Sequence, residues 1–225
     1  MDSSAFVNQI DHLELVFEDE SVVVVDKPAG LLTMATETER SHTAYAALRA
    51  YANNKKNAEK IFIVHRLDRE ASGLLVFAKT VEAKERLQDQ FKDHSAGRRY
   101  VAVVEGKVTP DDFTVRSYLA ENAAFRVYST RKRGQGKLAV THVRVVKRNP
   151  KTTIVEVRLE TGRKHQIRVH LAERGHPVVG DKAYGGRSNP IRRLALHAVH
   201  LAFRHPVTGK PMQFESRYPK SFNAL

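Results

Sequence analysis

Asp68 stands between two cations in the segment VHRLDREASG, residues 64–73. Arg66 and Arg69 flank it, and the glycine that ends the segment precedes a short apolar run. Loops held by a rigid sheet are common places for catalytic groups, so Asp68 is a candidate catalytic carboxylate. From these residues alone, the alternative is an aspartate that caps a turn, with the arginines in solvated ion pairs.

A second polar group lies in ETGRKHQIRVH, residues 160–170, where the pattern predicts a helix over 165–173. The amide groups and cations at a helix start can receive phosphates or a carboxylate. A solvated basic helix start is an equally good interpretation of these residues. His165 and His170 are five residues apart and do not share a helix face well, which argues against a zinc site. We therefore expect no metal, and a metal-dependent hydrolase of nucleic acid is only a weak alternative.

A third group, Arg98-Arg99-Tyr100, places an aromatic ring directly after two cations at the start of a predicted strand. Most tyrosines in strands are packing residues. The ring gains interest only because the other two groups accompany it.

The charge balance favours a polyanionic partner. Lys and Arg number 38 against 25 Asp and Glu, which gives a net charge of +13 and a pI near 10.0. Each phosphate that such a surface neutralises releases counterions, and the cations cluster at 131–137, 163–168 and 187–193. An uncommitted basic surface is the alternative. A membrane is not expected, because no apolar run approaches the roughly 18 residues needed and no basic amphipathic helix is evident.

The chain has no cysteine, which excludes disulfides, thiolate metal sites and cysteine nucleophiles and fits a cytoplasmic protein. Apolar and alternating runs predict strands, and an amphipathic segment predicts a helix at 81–93. A second helix is predicted at 165–173, ended by Gly175 and Pro177. The strand predictions are 21–25, 74–78, 100–104, 140–146 and 153–159, with 194–203 as strand or irregular buried structure. Because strands outnumber helices without regular alternation, we predict an α+β fold. Its mixed central sheet is mainly antiparallel and flanked by helices and loops, and 131–137 forms a mobile basic loop.

Several longer motifs agree in type, order and spacing with one family. The chain resembles the RluA family of pseudouridine synthases in VDKPAGL (25–31), HRLD (65–68), SG (72–73), RYVA (99–102), TGRKHQIR (161–168) and GHPVVGD (175–181). The resemblance extends from about residue 14 to about residue 214, so we expect one catalytic domain of residues 1–225. It implies a pseudouridine synthase-like fold with the active cleft across the sheet. It also implies isomerisation of uridine to pseudouridine in tRNA, rRNA or both.

The resemblance also implies roles for individual residues. Asp68 matches the catalytic aspartate, and Arg168 matches the arginine that pairs with that carboxylate. Tyr100 matches the tyrosine that lies against the target uracil, and Ile167 lines the pocket. Arg66 matches the arginine that enters the RNA stack where the target base has left. Further RNA contacts are expected from Arg163, Lys164, His165, Arg131, Lys132 and Arg133.

Two features depart from the commonest family pattern. Ala71 stands where threonine is usual, and we expect no N-terminal RNA-binding domain of the S4 type. The reaction breaks the C1′–N1 bond and joins C1′ to C5 without net redox change, so no metal or organic cofactor is expected. Three routes are open to the carboxylate: attack at C1′, attack at C6, or promotion of elimination through a glycal.

We expect a monomer with RNA as its partner. A non-catalytic RNA-binding protein is the remaining alternative. The combination of Asp68, Tyr100 and Arg168 favours the enzyme, because binding alone has no need of a carboxylate among phosphate-seeking cations.

Overall fold

The computed structural model describes residues 9–55, 59–132 and 134–225. Within them lie three α-helices: α1 (Ala44–Asn53), α2 (Val81–Lys92) and α3 (Gln166–Glu173). The strands of the same residues are β1 (Gln9–Ile10), β2 (Leu13–Glu18), β3 (Val22–Lys27), β4 (Phe62–Ile63), β5 (Ser72–Ala78), β6 (Gly97–Glu105), β7 (Asp112–Glu121), β8 (Val127–Thr130), β9 (Lys137–Arg148), β10 (Thr152–Leu159), β11 (Leu196–Arg204) and β12 (Pro211–Glu215). Two short 3₁₀ helices follow, at Lys182–Tyr184 and Lys220–Ala224.

These strands form one sheet in the order β1-β2-β3-β5-β11-β6-β10-β9-β7-β8, with β12 beside β11 and β4 beside β5. Strands β5 and β11 pair in parallel, and the other pairs are antiparallel. The predicted α+β class with a mainly antiparallel mixed sheet is therefore confirmed. Among the described residues, no helix is both long and apolar enough to cross a membrane.

The centre of the sheet is covered on both faces near β3 and β5. Alternate residues of these strands pack in the core that contains Leu48 of α1, and the intervening residues pack with Leu87 of α2. Burial on both faces explains why β3 and β5 have continuous apolar sequences instead of alternating ones. β7, by contrast, alternates between exposed and partly buried residues over 112–116, as a half-solvated strand does.

Gly73 allows β5 and β11 to approach closely just after the segment that carries Asp68. Its φ is +112°, and a Cβ atom there would lie 2.3 Å from the carbonyl oxygen of Ala198. Only glycine meets both conditions without displacing backbone. This contact fixes where β5 begins, and so where the preceding loop ends.

The predicted strands and helices are present, with ends that differ by up to about three residues. Predicted 194–203 is the strand β11 (Leu196–Arg204). Of the predicted loop 131–137, the described residues before Lys137 lie between β8 and β9, and Lys137 begins β9. Its mobility stays a prediction. The sequence interpretation missed α1, the hairpin of β7 and β8, and the short strands β1, β2, β4 and β12. Helix α1 is alanine-rich, and its buried positions, Ala44, Leu48 and Ala52, contain only one large apolar side chain. The single-domain assignment stays a prediction.

Candidate active site

Residues 64–71, here called the Asp68 loop, connect β4 to β5 and rest on the buried side chain of Lys27. The Lys27 Nζ atom lies 2.7 Å from the carbonyl oxygens of Leu31 and Ala71, 2.8 Å from that of Pro28 and 3.3 Å from that of Arg69. Burial lowers the pKa of Lys27 to about 7, against the opposing effect of the Asp68 carboxylate. One amine thus joins the turn after β3 to the far end of the Asp68 loop.

Thr33 holds the middle of the same loop. Its buried hydroxyl accepts a hydrogen bond from the Leu67 amide at 3.1 Å and donates to the Leu67 carbonyl at 2.9 Å. The Gly30 amide donates to the Arg69 carbonyl at 2.8 Å. Because both neighbours of Asp68 are fixed through their backbones, the position of Asp68 does not depend on its own side-chain contacts.

Arg168 of α3 reaches the Asp68 carboxylate with one N–H group. Its Nη1 atom lies 3.3 Å from Asp68 Oδ2, whereas Nε and Nη2 donate to the two oxygens of Asp181 at 2.7 and 2.8 Å. Arg168 therefore pairs with Asp68, as the resemblance implies, but the two-pronged contact goes to Asp181, which is buried. Burial would lower the pKa of Arg168, and the Asp181 hydrogen bonds outweigh burial, so its pKa is raised.

His165 stands on the other side of the Asp68 carboxylate. Its Nε2 atom is 3.9 Å from Asp68 Oδ1, and its Nδ1 atom hydrogen bonds to the Tyr184 hydroxyl at 2.8 Å. Its φ of +53° is in the left-handed region, which is uncommon outside glycine. Burial lowers the pKa of His165 more than Asp68 raises it, so the ring is neutral at neutral pH.

A cavity of about 440 Å³ opens onto these groups. Burial raises the pKa of the Tyr100 hydroxyl, which keeps the ring neutral at this wall of the cavity. Eight residues predicted for the site line it together: Asp68, Tyr100, Arg168, Arg66, Ile167, Arg163, Lys164 and His165. They come from the Asp68 loop, β6, the connection after β10, and α3, so the cleft crosses the sheet.

The start of α3 is held by the side chain of Gln166. Its buried side chain accepts from the Thr161 hydroxyl at 2.7 Å and the Arg163 amide at 3.1 Å, and donates to the Val140 carbonyl at 3.0 Å. His170, on the same helix, hydrogen bonds to Thr141 and Ser117 at 2.8 and 2.9 Å. In the part of the chain that the structure describes, no group of three His, Asp or Glu side chains is placed to hold a metal ion.

The predicted RNA-contact cations are placed differently from one another. Arg66 is exposed, Arg163 donates to the Leu138 carbonyl at 3.0 Å, and Lys164 pairs with Glu121. Arg131 and Lys132 are exposed on the β8–β9 connection and do not line the cavity. Arg133 lies outside the described residues. The structure thus brings together the groups predicted near the carboxylate, and it leaves the β8–β9 cations apart from them.

Comparisons with known proteins decide the family. Residues 21–173 match the family described as RNA pseudouridylate synthase. The chain belongs to this family. Ribosomal large subunit pseudouridine synthase D of Zymomonas mobilis is 38% identical over 226 residues, covering 95% of this chain and 71% of that protein. The Pseudomonas aeruginosa protein of the same name is 39% identical over 227 residues, covering 93% and 69%.

Human RNA pseudouridylate synthase domain containing 1 has the same fold, with a TM-score of 0.78 over 96% of this chain and 89% of that one, at 24% identity. The resemblance to the RluA family is confirmed, as is the enzyme class: the chain is an isomerase that acts on uridine in RNA.

Sequence reasoning missed the buried residues whose hydrogen bonds position the site residues of this synthase. Lys27 and Asp181 stand inside motifs that carried the resemblance, but nothing in their spacing shows that they meet Ala71 and Arg168. A buried chain of polar groups behind the Asp68 loop was missed as well. Arg193 donates to the Ser72 hydroxyl at 2.6 Å, and Ser72 hydrogen bonds to His197 Nδ1 at 2.7 Å.

This chain fixes the proton of His197. The Asp26 carboxylate only accepts, so the Ser216 hydroxyl donates to it and accepts from Nε2–H of His197 at 2.9 Å. In the neutral ring Nδ1 then accepts from the Ser72 hydroxyl at 2.7 Å. Burial lowers the pKa of His197 to about 4, in agreement with a neutral ring. Arg193 lies beside other basic residues in the sequence, but its side chain hydrogen bonds to the buried Ser72 and does not need an RNA partner.

Proposed function

We propose that this synthase isomerises a uridine of ribosomal RNA, with Asp68 as the catalytic carboxylate and the target uridine flipped out into the cavity. The observation that carries the proposal is the placement of Asp68. Its carboxylate faces a cavity of about 440 Å³, is paired with Arg168 at 3.3 Å, and shares the wall with Tyr100. The Arg168 guanidinium is always charged, so it is available to pair with this carboxylate at any working pH.

The chemistry balances without an outside reagent. The C1′–N1 bond of uridine breaks, the released uracil turns, and a C1′–C5 bond forms. The C5 proton leaves and N1 gains a proton, so substrate and product are isomers. A carboxylate that assists the departure of C1′ from N1 is the principal group such a reaction requires from the protein.

Entry of the uridine into the cavity needs compensation for lost base stacking. Tyr100 and Ile167 both line the cavity, and they offer an aromatic face and an apolar surface to a planar base. Arg66 is exposed on the Asp68 loop and lines the cavity. In this proposal it occupies the gap that the base leaves in the RNA. Stacking on an aromatic ring contributes about 1–3 kcal/mol per base, which is comparable to the cost of unstacking.

Ribosomal RNA is proposed as the substrate because the two bacterial relatives are named as ribosomal large subunit synthases. The motifs of the chain are also compatible with tRNA, so both RNAs belong in the assay. The monomeric state and the cytoplasmic location stay predictions from the sequence.

Release of tritium from RNA transcribed with [5-³H]uridine tests the proposal directly, since the C5 hydrogen is lost in the reaction. Asp68→Asn keeps the shape of the side chain and removes the carboxylate, so we expect turnover to fall by at least about 100-fold. Binding to the same RNA should be largely retained. Asp112→Asn, an exposed change on β7 away from the cavity, is the matched control. Substantial tritium release by Asp68→Asn would disprove the catalytic role, and release from tRNA alone would disprove the proposed substrate.

A further inference from the structure

Arg98 is a buried cation inside the cavity. It lies on β6 two residues before Tyr100, so both side chains leave the same face of the strand. Arg98 is only 8% exposed, and it lines the cavity together with Asp68 and Tyr100. A permanent charge so far removed from water is costly unless a partner compensates it.

The protein supplies no such partner among the residues that the structure describes. The Nε atom of Arg98 is buried without a hydrogen-bond acceptor, and none of the described carboxylates comes within ion-pair distance of the guanidinium. The neighbouring Arg99, on the opposite face of β6, contacts Glu156 at 3.3 Å and Glu215 at 2.8 Å. The protein thus compensates the charge of Arg99 with two carboxylates and leaves the charge of Arg98 uncompensated.

Packing nevertheless holds the Arg98 guanidinium in place. It lies over the ring of Phe91, 5.1 Å from the centroid, and the same ring stacks on His65 at 4.4 Å. On another side it contacts Gly162, where a Cβ atom would lie 2.5 Å from Nη1. The aromatic face offsets part of the desolvation, and the missing side chain at position 162 leaves room for the fork. A guanidinium that is held in position, and whose charge the protein does not compensate, can bind an anion that the substrate carries.

We infer that Arg98 binds a phosphate of the target nucleotide when the uridine enters the cavity. This rests on the proposed entry of a flipped uridine, and it adds the group that holds the nucleotide's backbone. Uracil oxygens are neutral and would leave the charge of Arg98 uncompensated. A phosphodiester supplies both the charge and paired oxygens that match the planar fork. Arg98 is therefore a residue that binds the substrate phosphate, whereas Arg168 pairs with the Asp68 carboxylate.

Kinetics separate this role from a catalytic one. For Arg98→Met acting on [5-³H]uridine-labelled ribosomal RNA, we expect KM to rise roughly 10- to 100-fold, as for loss of a charge-assisted hydrogen bond. We expect kcat at saturation to stay within about threefold, because the reacting atoms are untouched. Arg98→Lys should recover part of the loss, and Arg99→Met should behave as wild type. Gly162→Ala, which pushes the guanidinium aside, should raise KM in the same direction.

A binding measurement that needs no turnover keeps the inference distinct from the proposed function. In protein labelled with ¹⁵N-arginine, the Nε–H resonance that Arg98→Lys removes is followed during titration with uridine 5′-monophosphate, uridine 3′-monophosphate, uridine and inorganic phosphate. We expect at least one monophosphate, and inorganic phosphate at higher concentration, to shift this resonance, and uridine to leave it unchanged. Equal shifts by uridine and both monophosphates would overturn the inference in favour of a contact to the base.

The two experiments fail in different ways. Wild-type enzyme without tritium release would remove the proposed function while the titration could still support an anion site at Arg98. An active wild type whose KM is unchanged in Arg98→Met would overturn the inference alone. If Arg98→Met does not fold, Arg98→Lys and Gly162→Ala carry the same kinetic comparison.

Discussion

Lys27 and Arg131 are both basic residues, but they lie in opposite surroundings. Lys27 is fully buried beneath the Asp68 loop, with four carbonyl oxygens within hydrogen-bond distance. Arg131 is exposed on the β8–β9 connection, without an ion pair to the described carboxylates. We call the buried residues Lys27, Thr33 and Asp181 the floor of the site. We call the exposed cations of the β8–β9 connection, Arg131 and Lys132, the rim.

The difference indicates how each region should respond to change. In the floor, a removed group leaves buried partners unsatisfied, so single substitutions should be costly and should reach the chemistry. At the rim, water replaces whatever is lost, so effects should be small, additive and dependent on salt.

Lys27→Met should produce the largest effect. It leaves the carbonyls of Leu31 and Ala71 buried without a donor, and we expect a loss of about 3 kcal/mol or more in the free energy of unfolding. Turnover should also fall in the variant that remains folded, because the Asp68 loop loses its anchor. Urea unfolding and tritium release measure the two effects. Lys107→Met, at an exposed lysine, is the control, and equal stability of both variants would show that the carbonyls need no donor.

Asp181→Asn should have the next largest effect, and it should act through Arg168. Asparagine keeps the shape of Asp181 but removes the charge that holds the guanidinium, so Arg168 turns from its place beside Asp68. A displacement of this kind can cost up to about 100-fold in rate, and we expect kcat to fall roughly 10- to 100-fold. KM should change little, because Asp181 lies behind Arg168 and away from the RNA. A rise in KM at constant kcat would instead make Arg168 a phosphate contact.

The buried histidine behind the Asp68 loop predicts how stability depends on pH. The pKa of His197 is about 4 in the folded protein, below its usual 6.5. Its contribution to stability is therefore fully present above pH 6.5 and is lost as the pH falls towards 4. Between pH 7 and pH 5 the loss amounts to about 2 kcal/mol.

Urea unfolding of wild type and His197→Gln at both pH values isolates this contribution. The stability advantage of the wild type should shrink by that amount at the lower pH, since glutamine does not titrate. Buried His170 titrates in both proteins and cancels in the difference. A difference that is independent of pH would mean that folding does not lower the pKa of His197.

The sequence predicted the residues that line the cavity, but not the buried contacts that hold them. Motifs identified Asp68, Tyr100 and Arg168 as residues of one site, and the structure places all three around one cavity. The partners beneath them could not be read from the sequence, because Lys27 meets Ala71 forty-four positions away and does so through a backbone oxygen. A backbone acceptor has no residue type of its own, so no pattern of side chains reveals it.

Asp181 and Arg98 show two further limits. Asp181 was part of a recognised motif, but its pairing with Arg168 depends on how the connection after α3 folds back. Arg98 and Arg99 are identical in sequence terms, and only the alternation of β6 puts one in the cavity and the other beside Glu156. Sequence reasoning grouped cations by proximity along the chain, whereas the fold separates them by face and burial.

The smallest predicted effect concerns the rim, where Arg131 and Lys132 are predicted RNA contacts. Changing both to Gln should leave stability and kcat unaltered, because neither side chain is buried or lines the cavity. If each contacts a phosphate of single-stranded RNA, the slope of log affinity against log salt should decrease by about 1.4 in total. Affinity at fixed salt should fall modestly and similarly for different RNAs, since phosphate contacts carry no sequence information.

The control changes the same number of charges at the other end of the sheet. Lys107 and Lys151 are exposed beyond the ends of β6 and β10 that lie farthest from Arg98, roughly 20 Å away at about 3.3 Å per residue. Changing both to Gln lowers the net charge by the same two units, so a general electrostatic attraction would reduce the slope equally in both double variants. A decrease confined to Arg131 and Lys132 would show that the β8–β9 connection meets the RNA. Equal decreases would mean that Arg131 and Lys132 attract RNA only through the overall charge of the protein and do not contact individual phosphates.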